Sequence, residues 1–108
     1  MGKAINSKRK GSAGERAVAE ILREHGYADA RRSQQYCGHN GDPDVVGLPG
    51  YHLEVKRVER LNLDAAFEQS VRDARDGEIP VVVHRRNRKP WMITMRFEDF
   101  LPLLKRGE

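Results

Sequence analysis

The pattern of apolar and polar positions along the chain predicts elements in the order α, β, β, β, α, β, β, α. From Ser12 onward, Val18, Ile21, Leu22 and His25 recur at helical spacing, and Gly26 stands where a C-terminal cap would end that helix. Ala30 to Gln35 has the length of an edge strand, although it is polar. Tyr36 to Pro43 is rich in Gly, Asn and Asp and reads as a loop. Val45 to Leu48 and His52 to Val58 then read as two short strands of a hairpin around Pro49-Gly50. Asp64 can cap a second helix carrying Phe67, Val71 and Ala74 on one face and ending near Gly77. Ile79 to His84 is a near-continuous β-branched run, which predicts a strand buried on both faces of a sheet covered by helices. A turn at Asn87 to Pro90 leads to a strand at Trp91 to Met95 and a short closing helix over Glu98 to Lys105, in which Pro102 fits only the first turn. The expected fold class is α/β, a single domain with a mixed central sheet flanked by helices.

A length of 108 residues suits one domain with room for one hydrophobic core. Residues 1–10 carry Lys3, Lys8, Arg9 and Lys10 with little that is apolar, which predicts a flexible basic arm ahead of a domain spanning 11–108. Lys and Arg number 20 against 16 Asp and Glu, a net charge of +4 that suits a polyanionic partner but also occurs in ordinary solvated domains. The single Cys37 excludes a disulfide framework and any zinc site needing two thiolates, leaving only a His-rich zinc site open. No apolar run approaches the roughly 20 residues of a membrane span, and no apolar stretch follows the basic N-terminus as a signal peptide requires. The expectation is a soluble cytoplasmic protein without a membrane partner.

Chemistry concentrates on the hairpin. Along His52 to Val58, Leu53, Val55 and Val58 can face a core while His52, Glu54 and Lys56 share the other face. Gly41-Asp42-Pro43-Asp44 puts an acid at the mouth of the preceding strand. Two carboxylates and a backbone carbonyl would make a hard-oxygen site suited to Mg²⁺ or Mn²⁺. Asp42 competes with Asp44 as ligand, since residues two apart share a face of an extended chain. Turn chemistry explains Gly-Asp-Pro-Asp equally well when it is taken alone, and solvent-facing strand charges explain Glu54 and Lys56.

A parity condition governs the pairing. With a loop of only Pro49-Gly50, Asp44 would oppose Val55 and face away from Glu54. A shared face requires a three-residue loop, a bulge, or a kink at Asp44. Carboxylates on opposite faces would remove the site.

Pro43-Asp44, nine residues and then Glu54-Val55-Lys56 resembles the signature of the PD-(D/E)XK nucleases. Lys10-Gly11-Ser12-Ala13-Gly14-Glu15-Arg16 before an amphipathic helix, followed by Gly41-Asp42-Pro43-Asp44, is similar to the archaeal and phage Holliday junction resolvases of that superfamily. The resemblance covers roughly Lys10 to His84 and agrees with the α-β-β-β-α-β core of the restriction-endonuclease-like fold. It implies an Mg²⁺-dependent DNA endonuclease, with Mn²⁺ as a substitute, acting as a symmetric homodimer on branched DNA. By the same resemblance Asp44, Glu54 and the Val55 carbonyl would bind metal, Glu15 would complete the site, Lys56 would be the catalytic lysine, and Gln69 would match a glutamine near the site. Glu15 has a competing reading, because Ser12-Ala13-Gly14-Glu15 fits a capping box. Gln69 departs from the pattern by lying about 160° from Val71 around the helix.

Candidate phosphate contacts are Lys8, Arg9, Lys10, Arg16, Arg31, Arg32 and Arg57, supplemented by Arg60, Arg85, Arg86, Arg88 and Lys89. His52 reads as an exposed strand histidine or a contact to phosphate or water, and His25, His39 and His84 show no ligand spacing. Trp91, Met92, Ile93, Met95, Phe97 and Phe100 suit a dimer interface, although core packing explains most of them. Two further readings stay open: another PD-(D/E)XK nuclease, of nickase or repair type, and a non-catalytic basic DNA-binding module.

Overall fold

The computed structural model describes residues 3–33 and 43–105, with side chains from residue 11 onward. Helix α1 (Lys3–Glu24) is followed by strands β1 (Arg31–Arg32), β2 (Val45–Val46) and β3 (Tyr51–Arg57), helix α2 (Leu63–Asp73), strands β4 (Ile79–Arg85) and β5 (Met92–Thr94), and helix α3 (Phe97–Phe100). A 3₁₀ segment, Leu101–Lys105, is the last element of the described residues.

The five strands form one mixed sheet in the order β1-β2-β3-β4-β5, antiparallel except for the parallel pair β3 and β4. That parallel pair needs a crossover, which α2 supplies. Alternation along β3 sorts its two faces: Leu53 and Val55 join Val18, Ala19, Val45, Val81 and Val83 in the apolar core under α1, and His52 and Glu54 point to the α2 side. On the strand beside it, Val81 and Val83 serve the α1 core while Pro80 and Val82 are buried on the opposite face, as expected for a run of this kind. Each fully buried valine contributes about 1.5–3 kcal/mol relative to exposure. Gly14 lets α1 approach closely, since a Cβ there would lie 3.3 Å from the Arg57 Cβ and 3.5 Å from the Trp91 ring.

The α1 terminus follows the cap that Gly26 predicts. Gly26 takes φ +102, its N–H donates to the Arg23 carbonyl at 3.1 Å, and the Tyr27 N–H donates to the Leu22 carbonyl at 3.0 Å, the pair of bonds that defines a Schellman ending. The start differs. The backbone is helical from Lys3, where a flexible basic arm is expected. Ser12 therefore lies inside the helix and caps nothing, which removes the capping-box reading of Glu15. Ile21 and His25 are exposed rather than part of the core stripe, and Val58 is exposed rather than core-facing because β3 ends before it, at Arg57.

Helix α2 is capped by Asn62, not Asp64: the Asn62 Oδ1 accepts the Ala65 N–H at 3.0 Å. The helix ends at Asp73, short of Gly77, and its inward face is Ala66 and Ser70 instead of Phe67, Val71 and Ala74. The reason is the polar strand face beneath it, which accepts a small residue and a hydroxyl more readily than a phenyl ring. Near the C-terminus α3 stops at Phe100, because Pro102 lacks the N–H an α-helix needs, and the chain continues as 3₁₀. No helix among the described residues is long and apolar enough to cross a membrane.

Candidate active site

The β2–β3 hairpin meets the parity condition. Val45 pairs with Leu53, so Leu48, Pro49 and Gly50 form a three-residue loop, and the same register sets Asp44 opposite Glu54. The loop turns through Gly47 at φ +99 and Gly50 at φ +87, and the Tyr51 N–H donates to the Leu48 carbonyl at 3.3 Å.

Asp44 is pinned from three directions. Its N–H donates to the Leu53 carbonyl at 2.8 Å, its carbonyl accepts the Ser33 N–H at 3.0 Å, and its Oδ2 accepts the Val55 N–H at 2.8 Å. The carboxylate thus takes a place in the ladder that a backbone carbonyl would otherwise fill. This contact locks the acid against β3, beside the Val55 peptide.

Glu54 is 2 % exposed and His52 is 0 % exposed, and their side chains meet at 2.8 Å between Nε2 and Oε2. The expectation of an exposed His52 is therefore corrected. It lies under α2, with its Nδ1 3.7 Å from Glu78 Oε1 and its carbonyl accepting from Ser70 Oγ at 3.5 Å. Burial of the carboxyl raises the pKa of Glu54; the His52 bond works against this and the charge of Asp44 adds to it. For His52, burial pulls the pKa down, but the bond and charge of Glu54, with Glu78 and Asp73 behind, reverse the sign and hold it above the usual value.

Glu15 reaches the same neighbourhood from α1. Its pKa is raised by burial, partly offset by the bond from Arg32, and raised further by Asp44. The charges of Asp44 and Lys56 act on both Glu15 and Glu54, so these four side chains share one electrostatic field at the Asp44 end of the hairpin. Arg32 Nε donates to Glu15 Oε1 at 2.9 Å, and its NH2 group donates to Ser12 Oγ at 3.2 Å. Arg32 thus engages α1 while its side chain stays 37 % exposed.

Glu54 belongs to two groupings of polar atoms. One joins it to Asp44 and the Val55 peptide. The other is His52, Glu54 and Asp73, whose ligand atoms lie within 4.8 Å of one another. Asp73 and Glu78 were not found by sequence reasoning, since only the α2–β4 packing brings them to His52. The His52–Glu54 contact had a signal, the shared strand face two residues apart.

Gln69 is half-buried. Around α2 it sits about 60° from the inward Ala66 and about 100° from the inward Ser70, on the flank of the buried face. Arg16 and Arg31 are both exposed at the surface. Arg57 is half-buried, and its Nε is buried without a hydrogen-bond partner among the described residues. The side chains of Lys8, Arg9 and Lys10, and all of Asp42, Cys37 and His39, lie outside the described residues. Trp91 and Met95 pack against the core, but Met92, Ile93, Phe97, Phe100, Leu101 and Leu104 are between 39 and 71 % exposed, so core packing explains less of that region than the sequence suggests.

The model of a family described as "Phage putative PDDEXK endonuclease" matches residues 6–106. Among solved structures, a Holliday junction resolvase from Archaeoglobus fulgidus, an archaeal hyperthermophile, is similar at 23 % identity and a TM-score of 0.49, covering 73 % of each chain. A search of the curated proteins finds no match.

Proposed function

This chain belongs to the phage PD-(D/E)XK endonuclease family, and on that premise we propose that it is a divalent-metal-dependent endodeoxyribonuclease cutting branched DNA, with a four-way junction as its preferred substrate. The observation that carries the reading is the hairpin register: a three-residue loop sets Asp44 across from Glu54. Mg²⁺, with Mn²⁺ as its substitute, is the cation. The donors fit it, because carboxylate and carbonyl oxygens are the ligands hard cations take. Burial and then the charge of Asp44 raise the pKa of Glu54, and a cation would relieve both penalties on the ionised acid.

Asp44, Glu54 and the Val55 carbonyl hold the ion in this reading. When bound, it supplies a Lewis acid for the phosphate and a lowered pKa for its water. The protein's own residues do the rest. The Val55 N–H fixes the Asp44 carboxylate before any ligand arrives, which spares reorganisation in the reaction. Lys56 offers its ammonium on the Glu54 face, to orient the attacking water or to meet the charge that develops on the phosphate oxygens. Glu15, steadied by Arg32, completes the acidic cluster from α1. Gln69, half-buried on α2, is the matching glutamine in this reading.

Arg16, Arg31 and Arg57, with the basic residues of the first helical turns, bind flanking phosphates without reading sequence. The exposed apolar band of Ile93, Phe97 and Leu104 is suited to pairing two copies, which would set two sites on opposing strands.

The test compares cleavage of a four-way junction and a matched linear duplex, with Mg²⁺ or EDTA, by wild type and Glu54→Ala. Paired symmetric nicks on the junction, lost with EDTA and in the variant, are expected. Cutting of both substrates would favour a nickase or repair role, and metal-independent binding without cleavage would favour a DNA-binding module. Activity that survives both EDTA and Glu54→Ala would refute the site.

A further inference from the structure

We infer that His52 is the positioning residue of the site: its Nε2–H holds the Glu54 carboxylate in the orientation that the metal requires, and its burial under α2, with Glu78 facing its unbonded Nδ1, keeps the ring in place. The inference rests on the ligand role of Glu54 proposed above and adds to it a residue that touches neither DNA nor the reacting atoms.

Glu54 has three rotatable side-chain bonds and is almost wholly buried, so something must choose its rotamer and satisfy its oxygens. The neighbours supplied by the sheet do neither, because Glu54 is flanked in β4 by Val82 and His52 by Pro80, and Asp44, across from it just before β2, is a second carboxylate that offers no proton. The 2.8 Å contact with His52 Nε2 fixes the rotamer and satisfies Oε2. Residues two apart on a strand lie about 6.6 Å apart along it, within direct side-chain reach, and no water need intervene.

His52 is itself fixed. Its carbonyl accepts the Ser70 hydroxyl from α2, its ring is fully buried, and its Nδ1 faces Glu78 at 3.7 Å, with the charge of Asp73 also acting on it. A chain of contacts therefore runs from α2 and the residue before β4, through the imidazole, to the acid at the centre of the site. Removing an outer partner of this kind typically weakens metal binding or activity by about 10- to 100-fold.

The experiment compares His52→Gln, whose amide can reach Glu54, with His52→Asn, whose amide is too short. Mn²⁺ affinity is measured by calorimetry without DNA, and half-saturating Mg²⁺ by cleavage at saturating DNA. His52→Asn should raise the Mn²⁺ Kd and the half-saturating Mg²⁺ by about tenfold or more and leave the KM for DNA unchanged, while His52→Gln should stay near wild type. A purely structural role would lower Tm in both variants without separating their metal affinities, and that result overturns the inference. A bound-ion count that falls by one in His52→Asn also overturns it, by making His52 a ligand. If His52→Asn does not fold, the ¹⁵N spectrum of wild-type His52 decides: a protonated Nε2 supports the inference and an unprotonated one overturns it. Glu54→Gln, run alongside, separates the two levels. Wild-type Mn²⁺ affinity there removes the ligand role of Glu54, whereas wild-type affinity in His52→Asn alone removes only the positioning.

Discussion

Replacing Gly47 by alanine tests how the hairpin that carries Asp44 is held against its neighbours. A Cβ at Gly47 would lie 2.5 Å from Ala30 Cα, 2.5 Å from Asp29 O and 2.6 Å from Ala30 N. All three are backbone atoms, so no side-chain rotation relieves the clash. Ordinary contact begins near 3.4 Å, and the two segments must separate by about 0.9 Å. Overpacking of this kind costs about 1–3 kcal/mol, and the left-handed φ of +99 adds about 1–2 kcal/mol for any residue with a Cβ. Gly50 is the internal control, because it has a similar φ of +87 but nothing within 4 Å of its Cβ position. Only the backbone term applies there, about 1–2 kcal/mol. At about 4–8 °C per kcal/mol for a domain of this size, thermal melts followed by circular dichroism should show Gly47→Ala melting roughly 5–20 °C below Gly50→Ala. Because the displaced segment leads into Asp44, Gly47→Ala should also cleave DNA more slowly than Gly50→Ala at a temperature where both are folded. Equal melting temperatures for the two variants would refute the packing argument.

Asn62→Ala should cost about 1 kcal/mol through the lost cap, seen as a drop in denaturant midpoint, while Asp64→Ala should cost only a few tenths to about 1 kcal/mol through the helix dipole. The reverse order would mean that the cap is misassigned. The pKa of His84 is lowered by burial from its ordinary 6.5, so between pH 6.5 and that lower value the unfolded chain binds the proton that the folded chain refuses. Stability therefore falls as pH drops below 6.5. In His84→Gln, which can still bond Thr94, urea midpoints should fall less over that window than in wild type, and parallel curves would contradict the assignment.

The element order and the hairpin parity were legible because both follow from local pattern: alternation along β3, the β-branched run of β4, and the need for Asp44 and Glu54 to share a face. The end of α1 was legible for the same reason, since Gly26 ends it by its own backbone. What was not legible depended on contacts distant in sequence. The inward face of α2 is set by the polar side of β3 beneath it, so the apolar spacing of Phe67 and Val71 misled. Ser12 and Glu15 matched a capping box in sequence, yet Arg32, 17 residues beyond Glu15, engages both. The first turns of α1 carry too few apolar residues to be read by hydrophobic pattern, but Lys, Arg and Ala are good helix formers and can extend a helix already nucleated beyond them. Within the site, Asp44, Glu54 and Lys56 could be read from spacing, whereas the Asp73 and Glu78 surroundings of His52 could not.

The most direct test of the central claim is the single-turnover cleavage rate of wild type and Asp44→Asn on one junction substrate, measured across a Mg²⁺ titration. The side-chain amide in that variant would still offer an oxygen to the Val55 N–H, so the fold should persist while the charge is lost. The account predicts a saturable Mg²⁺ dependence in wild type and, in Asp44→Asn, a loss of about 100-fold or more in rate at any Mg²⁺ concentration. A wild-type rate in Asp44→Asn, or cleavage by wild type that ignores Mg²⁺, would contradict it.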